Sequence, residues 1–273
     1  MTWNRMRIGP FALLLALPIL IMRPAATADW SGYEKLERDR IIEMLDKASS
    51  STPVSFYAKN LSGLDLSGVD FKRANLAAAV LNGSKLAGAN LSGCNLTVSF
   101  AEGANLSGAN LQGAMMFSMQ LQGANLSGAN LSGARFVGDL RRANLEKAVL
   151  TNMDGAADMK NQSMGLMRAN MASANLKNAN LSGANLSRAD FSFANLSGAD
   201  LTGSRLQGAE FSGTDLRHAR LVDADLSGSK FIDTDFTGAD LTNANFTGAT
   251  FRSVIGLDKA NTQGARGLEA GLK

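Results

Sequence analysis

The most regular feature of the chain is an apolar residue, usually Leu or Phe, that recurs at every fifth position from Leu61. Asn or Asp precedes it, a small residue precedes that, and a variable pair follows, as in Ala104-Asn105-Leu106-Ser107-Gly108. A period of five fits neither the 3.6 of a helix nor the 2 of a strand. The pattern predicts very short strands joined by corners, with the small and central residues pointing inward and the other three facing water.

Glycine ends many of these units, for example at Gly68, Gly93 and Gly108. A type II turn needs a positive φ at its second central residue, and glycine adopts that conformation without strain. Each unit is therefore predicted to end in a tight corner of the chain.

The spacing of aromatic residues predicts how many units make one coil. Phenylalanine recurs at every fourth central position in the second half of the repeat, which a stack of rings on one side of successive coils explains: Phe191, Phe211, Phe231 and Phe251. Four pentapeptides then form one coil, and about nine to ten coils would stack at ~4.8 Å each.

The tandem A(D/N)Lxx pattern resembles that of the pentapeptide repeat family. It covers about 190 residues, and a match of this length is specific because single units occur by chance. The resemblance implies an all-β solenoid, a right-handed quadrilateral β-helix. With the N-terminal segment described below, the expected fold is this β-helix with a short α-helical cap.

Four segments are predicted along the chain: residues 1–28, 29–53, 54–253 and 254–273. The first resembles an export signal, since Arg5 and Arg7 precede an apolar run and Ala26 and Ala28 are the small residues that a signal peptidase recognises. The chain is therefore expected to be exported to the periplasm or secreted, with no membrane-spanning segment after the signal is removed. An uncleaved signal that stays as an anchor is the alternative.

Both ends of the repeat are expected to be covered, because an open coil exposes apolar side chains and unpaired strand edges. Residues 30–48 have apolar positions at helical spacing, from Trp30 and Tyr33 to Leu45, and predict a capping helix with a linker to residue 53. Residues 254–273 abandon the repeat and are predicted to turn across the last coil.

The repeat also has an internal irregularity. Its phase slips by one residue at Leu140, and the first phase returns at Leu166 after a break at about 151–165. We interpret the break as a protruding loop or bulge that can make contacts, with Met153 and Met159 as adaptable filler. Thioethers also bind Cu(I), which is the alternative interpretation of these methionines.

The charge of the chain belongs largely to its first 28 residues. The net charge of +3 comes from 27 basic and 24 acidic residues, and the three arginines Arg5, Arg7 and Arg23 precede residue 29. The remainder has equal numbers of both signs. It therefore has no global electrostatic attraction to nucleic acid, which is not an expected partner.

No sequence motif predicts an enzyme. The single histidine, His218, cannot build a His-based metal cluster, and the single cysteine, Cys94, occupies an inward position of the repeat. Outward aspartates such as Asp200 and Asp240 are predicted to form a solvated charge ladder with Arg220 between them. No cofactor, metal or catalytic residue is expected.

One stretch is a candidate interaction surface. Between Lys85 and Arg135 the only charge is Glu102, and outward positions there are apolar. Exposed apolar patches can mark contacts, although single exposed apolar side chains are also common. With the break, the candidate residues are Thr97, Met115, Phe117, Val137, Arg135, Arg141, Arg142, Met153 and Met159.

The leading hypothesis is a non-catalytic exported scaffold that binds an unidentified protein or envelope component through one face of the rod. Some members of the resembling family mimic DNA and act on a topoisomerase. That alternative is disfavoured by the neutral charge and the export signal. A self-associating structural protein is the third hypothesis.

Overall fold

The computed structural model describes residues 29–48, 52–156 and 168–268. Parallel backbone bridges join residues that are 20 positions apart over most of the chain, for example Asn105 to Asn125. Four such ladders run along the molecule, one for each pentapeptide of a coil. The chain is therefore a four-sided β-solenoid, as the sequence predicts.

We name the faces A to D in chain order, and each corner by the two faces it joins. The bridging residues point outward one position before each central residue. Face A has Asn60, Val80, Phe100, Gln120, Asp139, Asn170, Asp190, Glu210, Lys230 and Thr250. Face B has Asp65, Lys85, Asn105, Asn125, Asn144, Asn175, Asn195, Asp215, Asp235 and Ile255. Face C has Asp70, Asn90, Asn110, Asn130, Val149, Asn180, Asp200, Arg220, Asp240 and Asn261. Face D has Ser55, Asn75, Asn95, Met115, Arg135, Asp154, Asn185, Arg205, Asp225, Asn245 and Arg266.

Each unit builds a strand and a corner as predicted. Ala104 and Leu106 are buried, and the amide of Ala109 donates to the carbonyl oxygen of Leu106 at 3.0 Å, which closes the turn. Gly108, the second central residue of that turn, has φ +62°. The repeated geometry leaves the core as a continuous column of Leu, Phe and Ala side chains along the axis.

The asparagine or aspartate before each central residue also has a local role. The Oδ1 atom of Asn105 accepts a hydrogen bond from the amide of Ser107 at 3.1 Å. The same contact recurs in many units, as at Asp200 with Thr202 at 2.9 Å. These short side chains therefore satisfy a corner amide that no strand partner reaches.

The aromatic column confirms four units per coil. Rings of successive coils on face A are stacked, with centroids 5.1 Å apart for Phe191 and Phe211 and 5.0 Å apart for Phe211 and Phe231. Phe251 continues the stack at 5.3 Å from Phe231. Inward serines and threonines bond to the backbone; the Oγ of Ser84, for example, donates to the carbonyl oxygen of Leu81 at 2.7 Å.

Two changes of length interrupt the ladder. Strand β3 (Met115–Gln120) pairs in parallel with β4 (Arg135–Asp139), which is one residue shorter, so the register shifts between Phe117 and Gln120. Gln120 therefore bridges to Asp139, one position earlier than the regular repeat would place its partner. At the second change, the chain between two bridged residues is longer than one regular coil. Asp139 and Asn170 are an example.

The first coil is closed by an N-terminal cap. The helix predicted over residues 30–48 is shorter: α1 spans Arg38–Asp46 and buries Ile41 and Leu45. Before it, β1 (Glu34–Lys35) pairs in parallel with β2 (Lys59–Asn60) and extends face A by one rung. Trp30 and Tyr33 therefore precede the helix and do not belong to it.

The C-terminal prediction also needs correction. Strands β5 (Lys230–Ile232) and β6 (Thr250–Arg252) pair on face A, and beyond them Ile255, Asn261 and Arg266 still form bridges with the preceding coil. The chain from residue 254 to 268 therefore continues as a distorted last coil, with a 3-10 helix at Leu257–Lys259. Residues 269–273 lie outside the described residues, as do the predicted signal and its Ala26 and Ala28.

Candidate interaction surface

The N-terminal hook, residues 29–36, packs along face A. The ring of Trp30 lies 4.7 Å from that of Phe100 and 5.3 Å from that of Tyr33. Val80, the rung between Asn60 and Phe100, is fully buried. Face A needs this cover because Val80 and Phe100 occupy positions at which most units have Asn or Asp.

The hook also approaches the D–A corner. The pKa of Tyr33 is raised, first by burial and then by the charge of Tyr57. Tyr57 lies on the D–A corner of the first coil and is 45% exposed. The hook thus connects the covered part of face A with this corner.

Four of the predicted surface residues come together at the same corner. Thr97 and Phe117 follow one another on successive coils and are partly exposed, and Met115, on face D beside them, is 46% exposed. The guanidinium of Arg135 lies 4.7 Å from the centre of the Phe117 ring. This cation–π contact holds the aromatic ring at the surface next to Met115.

Two other predicted surface residues, Val137 and Met153, are buried. Val137 pairs with Phe117 across β3 and β4 but is only 4% exposed, although it is not part of the continuous apolar core. Met153 is fully buried at an inward position, since the repeat continues regularly to Gly155. Met153 is therefore core filler, and Met159 lies outside the described residues.

Arg141 and Arg142 lie on the A–B corner, on the opposite side of face A from the D–A corner. Arg141 turns back to face A and donates to a carboxylate oxygen of Asp139, at 2.9 Å from Nε and 2.6 Å from Nη2. Gln122 also donates to Asp139. Burial acts to raise the pKa of Asp139, but the hydrogen bonds from Arg141 and Gln122 outweigh it and the pKa is lowered.

The longer interruption starts from the D–A corner as well. The regular coil ends at Ala156 and resumes at Arg168, between face D and face A. The Nη2 of Arg168 donates to Asp190 at 3.0 Å and anchors the returning chain on face A. The predicted break at 151–165 is thus displaced, because residues 151–156 still belong to the coil.

Sequence reasoning missed several residues of this region. Trp30 was predicted to lie in a helix. Phe100 was not predicted to belong to the surface, although an aromatic residue at an Asn/Asp position is visible in the repeat. The pairing of Asp139 with Arg141 was hidden by the phase slip. Phe193, on the A–B corner, is 71% exposed and was also not predicted.

The described residues give no catalytic arrangement. The thiol of Cys94 is buried, and burial raises its pKa to about 12. No group of three or more His, Cys, Asp or Glu side chains in the described ranges is placed to hold a metal ion. Neither helix of residues 29–48, 52–156 and 168–268 has the length and apolar composition that a bilayer crossing requires.

A comparison with models of known protein families agrees with the geometry. A family model for pentapeptide repeats matches in eight overlapping copies that together span residues 60–154 and 166–255. A solved structure of HetL, a protein involved in heterocyst differentiation regulation in the cyanobacterium Nostoc, is 24% identical. It covers 86% of this chain and 98% of its own, with a TM-score of 0.48.

Two further solved structures are similar. A pentapeptide repeat protein of the cyanobacterium Cyanothece is 26% identical over 43% of this chain and 86% of its own, with a TM-score of 0.38. The plasmid-mediated fluoroquinolone resistance protein QnrB1 is 20% identical over 78% of this chain and 88% of its own, with a TM-score of 0.35. No curated protein sequence matches the chain.

Proposed function

Because the chain belongs to the pentapeptide repeat family and has its right-handed quadrilateral β-helix, we propose that it is a non-catalytic exported scaffold. Its D–A corner, at the level of Phe117, binds another protein of the cell envelope. The regular remainder of the solenoid holds this corner rigid and presents it to the partner.

The observation that carries the proposal is that the main departures from the repeat meet at one corner. The hook is anchored on Phe100 beside it, β3 and β4 run through it, and the insertion between Ala156 and Arg168 starts from it. Most other corners consist of Ser-Gly or similar short polar pairs. Irregular segments on a rigid scaffold are where binding surfaces concentrate.

The chemistry of the corner suits a protein partner. Met115 and Phe117 offer adaptable and flat apolar surface, and Arg135 contributes a charge that is only loosely paired with Asp154 at 3.6 Å. Met, aromatic residues and Arg are the types enriched in protein interfaces. A partner segment with an apolar side chain beside a carboxylate would match this surface.

A DNA-mimicking topoisomerase inhibitor is less well supported. Such mimicry requires a continuous acidic surface, whereas the charges of this solenoid alternate. On face C, Arg220 lies between Asp200 and Asp240, and on face A, Lys230 pairs with Glu210 at 2.8 Å. A supercoiling assay with purified protein distinguishes the two functions, and inhibition at equimolar enzyme would favour the alternative.

The test is chemical crosslinking of the protein in cells, followed by identification of crosslinked envelope proteins. The double variant Met115→Asn, Phe117→Ser replaces both side chains by residues that other units have at these positions, so the fold is retained. Val222→Ser is the matched control, since it removes an apolar side chain at the same repeat position on the C–D corner. We expect the double variant to lose a partner that wild type and control keep.

Two results would contradict the proposal. One is the same set of partners for the double variant, the control and wild type. The other is the absence of any crosslinked partner while fractionation shows the protein in the envelope.

A further inference from the structure

Face B carries a ladder of asparagine side chains over five successive rungs. The Nδ2 of Asn144 donates to the Oδ1 of Asn125 at 3.2 Å, and that of Asn175 donates to Asn144 at 3.0 Å. The same contact joins Asn125 to Asn105 at 3.4 Å. Asn195 forms the fifth rung. The ladder is rigid because the first four amides are joined to their neighbours and the Oδ1 of all five accepts from its own corner.

The ladder leaves hydrogen-bond donors directed to solvent. A carboxamide has two N–H groups, and the contact with the preceding rung uses one of them. The remaining donors repeat at the strand spacing of ~4.8 Å along the solenoid. At its two ends the ladder is bordered by ion pairs, Lys85 with Asp65 and Arg217 with Asp215.

An exposed aromatic ring lies at one end of this ladder. Phe193 is on the A–B corner, two residues before Asn195, and is 71% exposed. Its Cδ1 lies 2.5 Å from the position that a Cβ of Gly213 would occupy, so the ring extends over a residue without a side chain. The small residues around it, such as Ser173 and Ser192, leave its outer face open.

Phe193 has an unfavourable backbone conformation at this position of the solenoid. Its φ is +60°, a conformation that glycine adopts freely and that strains a bulky residue. The ring also gains little burial in return. A residue that breaks a local rule with no structural gain points to a role in function.

From the ladder and the ring together we infer that face B binds a neutral, extended, β-linked polysaccharide. Sugar rings present C–H groups that pack on the electron-rich face of an aromatic ring, and their hydroxyls accept hydrogen bonds from amides. The rise per sugar of an extended β-1,4-linked chain is close to the spacing of the rungs. The five outward side chains of the ladder are themselves uncharged, which matches a neutral ligand, and charged side chains at these levels lie on the adjoining corners, as Arg142 and Lys177 do. This site is on a different face from the D–A corner.

The experiment measures cosedimentation of the purified full-length protein with insoluble cellulose and chitin, with granular starch as an α-linked comparison. Phe193→Gly restores the residue that most units have at this position. We expect it to weaken binding about tenfold, the loss typical of one stacked ring. Asp233→Gly is the matched control, because it makes the same type of change in the same corner column two coils away.

A second variant tests the ladder separately. Asn144→Asp keeps the oxygen that accepts from its own corner and from Asn175, as Asp154 accepts from Asn185, but removes the donors and adds charge. We expect it to weaken binding to cellulose and chitin while urea unfolding stays close to wild type.

Three outcomes would overturn the inference. They are no cosedimentation of the wild type with cellulose or chitin, equal binding by Phe193→Gly, and binding to starch as strong as to the β-linked chains. Loss of a crosslinked protein in Phe193→Gly would likewise overturn it, because it would assign the ring to a protein partner.

Discussion

At the residue scale, the corners show how far the fold tolerates unfavourable side chains. Val98 adopts φ +60° although it is β-branched, and Lys147 and Asn178 occupy equivalent positions. Left-handed backbone costs an L-residue roughly 1–2 kcal/mol. The surrounding coils impose it, because the backbone of each corner bonds to the next corner, as the amide of Val98 does to Phe117 at 2.6 Å.

Asp139 provides a pH-dependent prediction. Because its folded pKa is below the unfolded value of about 3.9, its stabilisation is complete above that pH and is lost as the pH falls through the folded pKa. Asp139→Asn should lower the free energy of unfolding at pH 7 by about 1.5–3 kcal/mol, since it loses charged hydrogen bonds. Urea unfolding at pH 7 and pH 3 measures this. The difference from wild type should shrink at pH 3, with exposed Asp233→Asn as the control; a constant difference would contradict it.

The sequence was most informative where single residues repeat. The buried Leu and Ala positions and the Phe191 column could be placed from spacing alone, because each unit repeats the same local geometry. Val137 could not, because the repeat does not specify how a corner that is one residue short packs. Phe193 could not either, since exposure at a corner depends on what the next coil provides.

At the element scale, the N-terminal cap blocks an open strand edge. The Nε of Arg38 donates to the carbonyl oxygen of Asp65 at 3.0 Å, and the Nζ of Lys35 donates to that of Ser62 at 2.5 Å. These carbonyls belong to the first coil, where no preceding coil exists to pair with them. Unpaired edges of this kind promote association with other chains.

Loss of the cap should therefore expose both the core and the edge. Ile41→Ser with Leu45→Ser removes the two buried contacts of α1, at about 2–4 kcal/mol each. We expect a higher weight-average mass in static light scattering and a lower urea midpoint. Glu43→Gln, on the exposed side of α1, is the control. Unchanged mass and midpoint in the double variant would show that α1 is not needed to close the solenoid.

The start of α1 could not be placed by periodicity. Trp30 and Tyr33 fall at helical spacing with Leu45. They nevertheless belong to the segment that packs along face A, because β1 pairs with the first strand of that face and continues its ladder. The C-terminal segment is the converse case. Its A(D/N)Lxx pattern is lost after Phe251, but backbone bridges continue to Arg266 because they do not depend on side chains.

At the scale of the whole molecule, the solenoid is a linear stack in which each coil contacts only its neighbours. Stability is then close to a sum of coil and interface contributions. The insertion does not alter this arrangement, because the coils before and after it pair directly, as Asn144 does with Asn175. Such a stack should accept or lose a corner segment freely, provided that the inward and outward positions keep their order.

Deletion of residues 157–167 tests this property. Bridges across the insertion join residues farther apart in sequence than one regular coil requires, and the deletion removes this excess so that the normal spacing returns. It would join Ala156 to Arg168 and place Arg168 at the left-handed corner position, which Arg188 occupies one coil later with φ +64°. Closing a shorter loop costs less entropy, so the free energy of unfolding should stay within about 1 kcal/mol of wild type or rise slightly.

The control for this deletion removes two residues more. Deletion of residues 157–169 also takes out the inward Ala169 and leaves Asn170 three positions after Asp154, whereas even the short corner of β4 keeps four positions between Arg135 and Asp139. Circular dichroism and urea unfolding should show a stable protein for the first deletion and a large loss of stability for the second. Equal stability of the two deletions would mean that the five-residue phase is not what holds the two halves of the solenoid together. A loss in both would mean that the insertion itself stabilises the stack, against the direct pairing of Asp139 with Asn170 across it.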